Sequence, residues 1–78
     1  MTHESLGAKI RRLRGEKKIS QDRLALEAHV DQSGLSKFER GQAGRMGPAP
    51  LSRIAAALGM SVEDLVNNTD HQSVKPST

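Results

Sequence analysis

The stretch SQDRLALEAHVDQSGLSKFERG, residues 20–41, decides the fold of this chain. Ser20 is typical of an N-cap, because its hydroxyl can accept from the free N–H groups of a helix over about residues 21–28. Asp31 offers a second N-cap and predicts another helix over residues 32–40. The stretch therefore predicts two short helices joined by a turn of three residues.

Apolar residues recur at helical spacing in three further segments of the chain. They predict helices over about residues 5–18, 50–58 and 61–67. Together the five helices predict an all-α domain over residues 1–68. Residues 69–78 have no apolar period, and we expect them to form a disordered C-terminal tail.

The composition excludes several classes of protein. A chain of 78 residues allows one small domain and excludes a multi-domain enzyme. It contains no cysteine, which excludes disulfides and thiolate metal sites. No apolar run approaches the roughly 18 residues of a membrane span, and the N-terminus lacks the order of a secretory signal. We therefore expect a soluble, cytoplasmic protein with no membrane partner.

The sequence shows no pattern typical of catalysis or metal binding. The three histidines, His3, His29 and His71, have no companion ligands at a metal-binding spacing. Ser33 and Ser36 lack a neighbouring base and a stabilising carboxylate in the sequence. We expect no metal, no cofactor and no enzymatic activity.

Positive charge is concentrated in the part of the chain predicted to fold. The formal net charge is +3, with +5 in residues 1–59 and −2 in residues 60–78. Six basic residues lie between Lys9 and Lys18, and only Glu16 opposes them. A field of this sign favours a polyanion such as nucleic acid, or an anionic membrane surface. By charge alone, a basic helix face that is simply solvated explains the pattern equally well.

The helix over residues 32–40 has a short polar and basic face. In a helix-turn-helix arrangement the second helix can project the side chains of its N-terminal part into the major groove of DNA. The residues that would project are Gln32, Ser33, Ser36 and Lys37. Gln matches the donor and acceptor of adenine, Lys matches guanine, and Ser matches either. The alternative is that these side chains are only solvated.

Three segments resemble the Cro/phage-repressor helix-turn-helix family, also called the xenobiotic-response-element family. They are SQDRLA at 20–25, VDQSGLSKFERG at 30–41 and LSRIAAALG at 51–59. The likeness covers roughly residues 5–67, with the motifs in the family's order. It implies a five-helix, lambda-repressor-like DNA-binding domain whose helix-turn-helix is formed by the second and third helices.

The resemblance also implies roles for individual residues. Gln21 is expected to bind a DNA backbone phosphate and to buttress Gln32. Arg40, with the loop after it, is expected to meet phosphate. The residues expected to face the bases are Gln32, Ser33 and Lys37, with Ser36 nearby.

An ion pair and a turn conformation also follow from the same resemblance. Arg14 and Glu39 match a family ion pair that ties the first helix to the end of the third. His29 stands where the family usually has glycine in the turn, so we expect it to adopt the left-handed backbone conformation. Arg45 lies in a loop that is longer than the family's, and its charge alone makes it a candidate phosphate contact.

The fifth helix carries more apolar residues than one side of a short helix can bury. It is the segment of the chain best suited to oligomerisation. We therefore expect a twofold dimer interface formed by Val62, Leu65 and Val66.

These observations lead to two hypotheses. The first is a dimeric repressor that binds a pseudo-palindromic DNA operator, with half-sites about 34 Å apart. Phage immunity regulators, restriction–modification controllers and antitoxins all fit it, and the residues do not separate them. The second is an adaptor that binds a protein partner such as a toxin, with DNA contact secondary.

Overall fold

The computed structural model describes residues 4–42 and 46–67 of the chain. Five α-helices follow one another in these ranges, in agreement with the all-α fold expected. They are α1 (Leu6–Glu16), α2 (Gln21–Ala28), α3 (Gln32–Glu39), α4 (Pro48–Ala57) and α5 (Val62–Val66). Arg45 and the predicted tail at residues 69–78 lie outside the described residues.

Side-chain caps begin four of the five helices. Ser5, Ser20, Asp31 and Ser61 each accept a hydrogen bond from the backbone N–H three residues on, at 3.0–3.1 Å. Helix α4 begins differently, with Pro48 at its first position, two residues before the predicted start. Proline is tolerated there because the N–H groups of a first helical turn have no acceptor within the helix.

The core is aliphatic except for one phenylalanine, and every helix contributes to it. Its buried apolar residues are Leu6, Ile10, Leu13, Leu24, Ala25, Ala28, Leu35, Phe38, Leu51, Ile54, Ala55, Leu58 and Leu65. Leu65 is fully buried among these residues within one chain. It is therefore a core residue, which corrects its assignment to a dimer interface.

Helices α1 and α3 cross with almost no space between their backbones. A Cβ atom built on Gly7 would lie 1.9 Å from the carbonyl oxygen of Phe38. No side chain larger than hydrogen fits at that distance, so Gly7 sets how closely α3 lies against α1. Gly7 was not predicted as a packing residue, although it lies next to Leu6 and three residues before Ile10 on the buried side of α1.

Two helices that precede the polar helix α3 end at non-glycine residues in the left-handed conformation. Lys18, after α1, has φ 58°, and His29, after α2, has φ 55°. In each case the next residue donates back to the carbonyl five positions earlier, as in a Schellman motif. The prediction for His29 is confirmed, whereas Lys18 was expected to be helical.

The turn between α2 and α3 consists of three residues, 29–31. Helix α3 packs against both α1 and α2 through Leu35 and Phe38, which are buried. Its remaining faces are left toward solvent, and these faces carry the candidate site.

Candidate nucleic-acid interface

The outer face of α3 presents polar side chains that are exposed or half-buried. Gln32, Ser33 and Lys37 are exposed, and Ser36 is half-buried. Arg40, at the C-cap of α3, is exposed and makes no ion pair with any described residue. These side chains have the chemistry expected for base edges and phosphate.

A chain of hydrogen bonds connects this face to α1. Arg14 binds Glu39 through two parallel contacts, from Nε to Oε2 at 2.9 Å and from Nη2 to Oε1 at 3.0 Å. Gln21 Nε2 donates to the same Glu39 Oε1 at 3.1 Å. Gln32 Nε2 in turn approaches Gln21 Oε1 at 3.4 Å, the longest contact of the series. The pairing of Arg14 with Glu39 that the resemblance implies is thus present in the geometry.

Glu39 is the buried charged residue in the described part of the chain. Its side chain is 2% exposed, against 16% for Arg14. A buried carboxylate is costly unless several donors satisfy it, and here Arg14 and Gln21 supply three hydrogen bonds. Arg14 also donates to the carbonyl of Ile19 at 3.1 Å, which ties down the connection that leads into α2.

Half of the basic residues in the run from Lys9 to Lys18 are engaged within the chain. Lys9 donates to the carbonyls of Asp64 and Asn67, at 2.8 and 2.9 Å, and so caps the C-terminal end of α5. Arg12 and Arg14 bind carboxylates. Arg11, Lys17 and Lys18 are exposed and make no ion pair with any described residue. The basic run therefore offers less free charge than the sequence suggests.

Arg12 bridges two carboxylates on the outer side of α1. It donates to Glu4 at 2.8 and 2.9 Å and to Glu16 at 3.0 Å. These hydrogen bonds lower the pKa of Glu4 and raise the pKa of Arg12 from their ordinary values. Arg12 and Glu16 are exposed and Glu4 is half-buried, so the network contributes little stability.

A contact that the sequence did not indicate holds the first helix of the helix-turn-helix. Arg53 of α4 donates from Nε to the carbonyl of Ala28 at 2.6 Å. Ala28 ends α2, and a cation at a helix C-terminus is favoured by the helix dipole. The two residues are 25 positions apart, so only the packing of α4 on α2 brings them together.

Two further surface features involve apolar side chains. Val62 and Val66 of α5 are half-buried against the core. Leu26 of α2 is 73% exposed, the large apolar side chain that is exposed in the described part of the chain. Within residues 4–42 and 46–67, no helix is long and apolar enough to cross a membrane. The same residues contain no group of three potential metal ligands among His, Cys, Asp and Glu.

Comparison with known proteins places this architecture in a family. A family model described as a helix-turn-helix domain matches residues 5–67. The chain belongs to the helix-turn-helix domain family. The matched range includes all five helices, and the two helices that name the family are α2 and α3.

A curated relative within this family is a repressor. RghR of Bacillus subtilis, named an HTH-type transcriptional repressor, is 36% identical over 63 residues, which are 81% of this chain and 47% of RghR. A second B. subtilis relative, RghRB, is named an uncharacterised HTH-type transcriptional regulator. The chain spans about half the length of the curated relatives it matches. Both names describe transcription regulators rather than enzymes, in agreement with the sequence.

Solved structures of helix-turn-helix proteins share the fold. SinR, a master regulator for biofilm formation that was solved in complex with DNA, has a TM-score of 0.75 and 34% identity, covering 80% of this chain and 98% of that one. SinR solved with the protein SinI has a TM-score of 0.76 and 31% identity, covering 90% and 67%. The DNA-binding domain of the P22 C2 repressor has a TM-score of 0.76 and 27% identity, covering 96% of each chain. The resemblance to phage repressors is thereby confirmed.

Proposed function

We propose that this protein is a sequence-specific DNA-binding transcription regulator that represses by occupying operator DNA. The observation that carries the proposal is the outer face of α3, where Gln32, Ser33 and Lys37 are exposed. The opposite side of α3 is anchored in the core by Leu35 and Phe38, so the exposed side chains project from a rigid support. RghR, a repressor by name, and SinR, solved with DNA, support the same function.

The direct base contacts are proposed to come from Gln32, Ser33, Ser36 and Lys37, as their position on α3 allows. Gln32 and Lys37 have the longest reach of the four. Ser36 is half-buried and contributes at the edge of the contact area.

Phosphate contacts are proposed at both ends of the helix-turn-helix. Gln21 uses one N–H of its amide for Glu39, and its second N–H is available to a phosphate oxygen at the start of α2. Arg40 supplies a free guanidinium at the end of α3. Arg45 is proposed on charge alone. Together these contacts fix how the domain sits on the duplex without reading its sequence.

A twofold dimer through α5 is part of the proposal. Val62 and Val66 are half-buried in one chain, so each leaves apolar surface for a second copy, whereas Leu65 does not. A dimer would present two α3 helices to half-sites about 34 Å apart on one face of DNA. Sedimentation of the chain at micromolar concentration is expected to show a dimer, and a monomer at that concentration would remove this part of the proposal.

The central experiment is selection of bound sequences from a random duplex pool at about 150 mM salt, where purely electrostatic binding is weak. A twofold-symmetric motif is expected. On the selected duplex, Gln32→Ala should lose about 1–3 kcal/mol while random DNA is little affected. Arg40→Ala should weaken binding to both. No enriched motif, together with binding that vanishes as salt rises, would contradict sequence-specific recognition.

A second candidate function is an adaptor that binds a protein such as a toxin, with DNA contact secondary. Leu26 of α2 is 73% exposed and offers an apolar side chain that such a partner could bury. SinR, which is similar in fold, has been solved with the protein SinI. If selection enriches no motif, capture of a defined partner by the wild-type chain but not by Leu26→Ser would favour this function.

A further inference from the structure

The buried carboxylate of Glu39 fixes the orientation of an amide that lies between it and the DNA-facing side of α3. An ionised carboxylate can only accept hydrogen bonds. The Gln21 atom that lies 3.1 Å from Glu39 Oε1 must therefore be the amide nitrogen, and the Gln21 carbonyl must point the other way. The oxygen and the nitrogen of an amide are alike in shape, so the carboxylate acceptor determines which of them faces Glu39.

The same constraint passes to the next amide. The Gln21 carbonyl lies 3.4 Å from Gln32 and can only accept, so Gln32 must turn its amide nitrogen inward. One N–H of Gln32 is then used by Gln21. The other N–H and the carbonyl oxygen of Gln32 remain for a ligand outside the protein. Gln32 therefore presents one donor and one acceptor side by side.

We propose that Glu39 is a positioning residue for base reading, which acts through Gln21 on Gln32 without touching DNA. The inference rests on the function proposed above. A side-by-side donor and acceptor match N7 and N6 of adenine, whereas an amide turned the other way offers two donors and matches the two acceptors of guanine. Glu39 thus selects adenine over guanine at the base pair that Gln32 contacts.

Burial explains why Glu39 can impose this orientation. Its side chain is 2% exposed and its Oε2 is already held by Arg14, so the carboxylate has no second position to adopt. Gln21 is half-buried and Gln32 is exposed. The buried Glu39 therefore orients Gln21, and Gln21 in turn orients Gln32 at the surface. Without an ionised group at position 39, either orientation of Gln21 satisfies its neighbours.

The test compares Glu39→Gln with Arg14→Lys. Both variants weaken the ion pair and lower the stability of the fold. Glutamine carries no charge, and lysine does not reproduce the two parallel contacts of arginine. Only Glu39→Gln removes the obligate acceptor. The measured quantity is the dissociation constant for the selected duplex with guanine at the base that Gln32 contacts, divided by the dissociation constant with adenine there. In Glu39→Gln this ratio should fall about tenfold. Arg14→Lys should keep that ratio. Equal ratios in Glu39→Gln and the wild type would overturn the proposal, as would an equal loss in both variants.

A second measurement does not depend on DNA. In the free protein the side-chain amide of Gln32 should give one pair of NMR signals, with one proton protected from exchange by Gln21. Glu39→Gln should remove this protection, and Arg14→Lys should retain it. Protection that survives in Glu39→Gln would overturn the orientation argument even if no duplex is ever selected. If Glu39→Gln loses the protection as expected but the selection enriches no motif, the orientation argument stands and sequence-specific DNA binding is contradicted.

If Glu39→Gln does not fold, the double variant Arg14→Met/Glu39→Gln replaces it in both measurements. It removes the ion pair from both sides and so leaves no unpaired buried charge. It should show the same loss of adenine preference and of amide protection. A double variant that keeps both would contradict a positioning role for Glu39.

Discussion

Helices α1 and α3 lie against each other and use their polar residues in opposite ways. α1 carries four basic residues, and three of them bind groups of the same chain. α3 carries one basic residue, Lys37, which is exposed together with Gln32 and Ser33. A smaller fraction of the basic residues is therefore available to a ligand in α1 than in α3. Whether a charged side chain is available depends on its neighbours in space, which the charge count of a sequence does not record.

The difference arises from where each helix sits. α1 contacts both α3 and α5, so its cations reach helix ends and carboxylates of other elements. α3 has its apolar side inward, and the polar side chains on its outer face form hydrogen bonds with no described residue except Gln21.

The largest effect is expected where the two backbones meet. Gly7→Ala would place a methyl group 1.9 Å from the Phe38 carbonyl oxygen, so α1 and α3 must move apart. We expect a loss of at least about 3 kcal/mol in the free energy of unfolding, measured with urea. Gly15→Ala on the same helix has nothing within 4 Å and should gain about 1 kcal/mol from helix propensity. Similar stabilities of the two variants would show that the contact is not close.

The next effect concerns the ion pair that joins the helices. Arg14→Met leaves the Glu39 carboxylate buried with Gln21 as its remaining donor. We expect a loss of about 2–3 kcal/mol by urea unfolding, somewhat below the value for a fully buried pair because Arg14 is partly exposed. Arg12→Met, which breaks only exposed pairs, is the control and should cost less than about 1 kcal/mol. Equal costs at positions 12 and 14 would contradict the difference in burial.

Free and engaged arginines should differ in DNA binding. Arg40→Gln removes an unpaired charge and should lower the slope of log affinity against log salt by about 0.9. Arg12→Gln removes a charge held by Glu4 and Glu16 and should leave the slope nearly unchanged. The slopes can be measured by fluorescence anisotropy on a random duplex. A larger change for Arg12→Gln would mean that the network opens when DNA binds.

The turns that lead into α2 and α3 should respond alike to glycine. Lys18 and His29 both adopt the left-handed conformation, which is strained for residues with a Cβ atom. Lys18→Gly and His29→Gly should each raise the free energy of unfolding by about 0.5–1 kcal/mol. Gly41→Ala, at φ 77°, is the reverse substitution and should destabilise. A loss of stability in either glycine variant would show that the original side chain contributes more than its strain costs.

The smallest effect is in the exposed network of α1. Hydrogen bonds from Arg12 hold the pKa of Glu4 below its ordinary value. The pair therefore stabilises the fold above the ordinary pKa of glutamate, and this contribution disappears as the pH falls through the lowered value. An NMR titration should give Glu4 a lower pKa in the wild type than in Arg12→Gln. Identical titration curves would mean that the pair does not persist in solution.

Much of the fold was predictable because its signals are local. A cap such as Ser20 or Asp31 acts on N–H groups three residues away, and an apolar stripe requires only the helical repeat. The left-handed His29 was predicted from the family's glycine at that position. Lys18 in the same conformation was missed, because nothing in its immediate sequence distinguishes it from a helical lysine.

The candidate site was predictable in its residue types and less so in its contacts. Gln32, Ser33 and Lys37 could be placed on an exposed face, because Leu35 and Phe38 orient the helix. The bond from Gln21 to Glu39 spans 18 positions and was not foreseen. The burial of Leu65 was also missed, since a pattern on five residues cannot show which side of α5 meets the bundle.

The sequence by itself therefore determined five helices, the caps Ser20 and Asp31, the aliphatic core and a helix-turn-helix with a polar outer face. Each of these depends on interactions within a few residues or on the apolar period. The tertiary structure alone decided which basic side chains are unpaired among the described residues, how closely α3 lies against α1 at Gly7, and how Glu39 orients the amides of Gln21 and Gln32. Those properties depend on atoms from distant positions that meet only when the helices pack, so no local pattern in the chain encodes them.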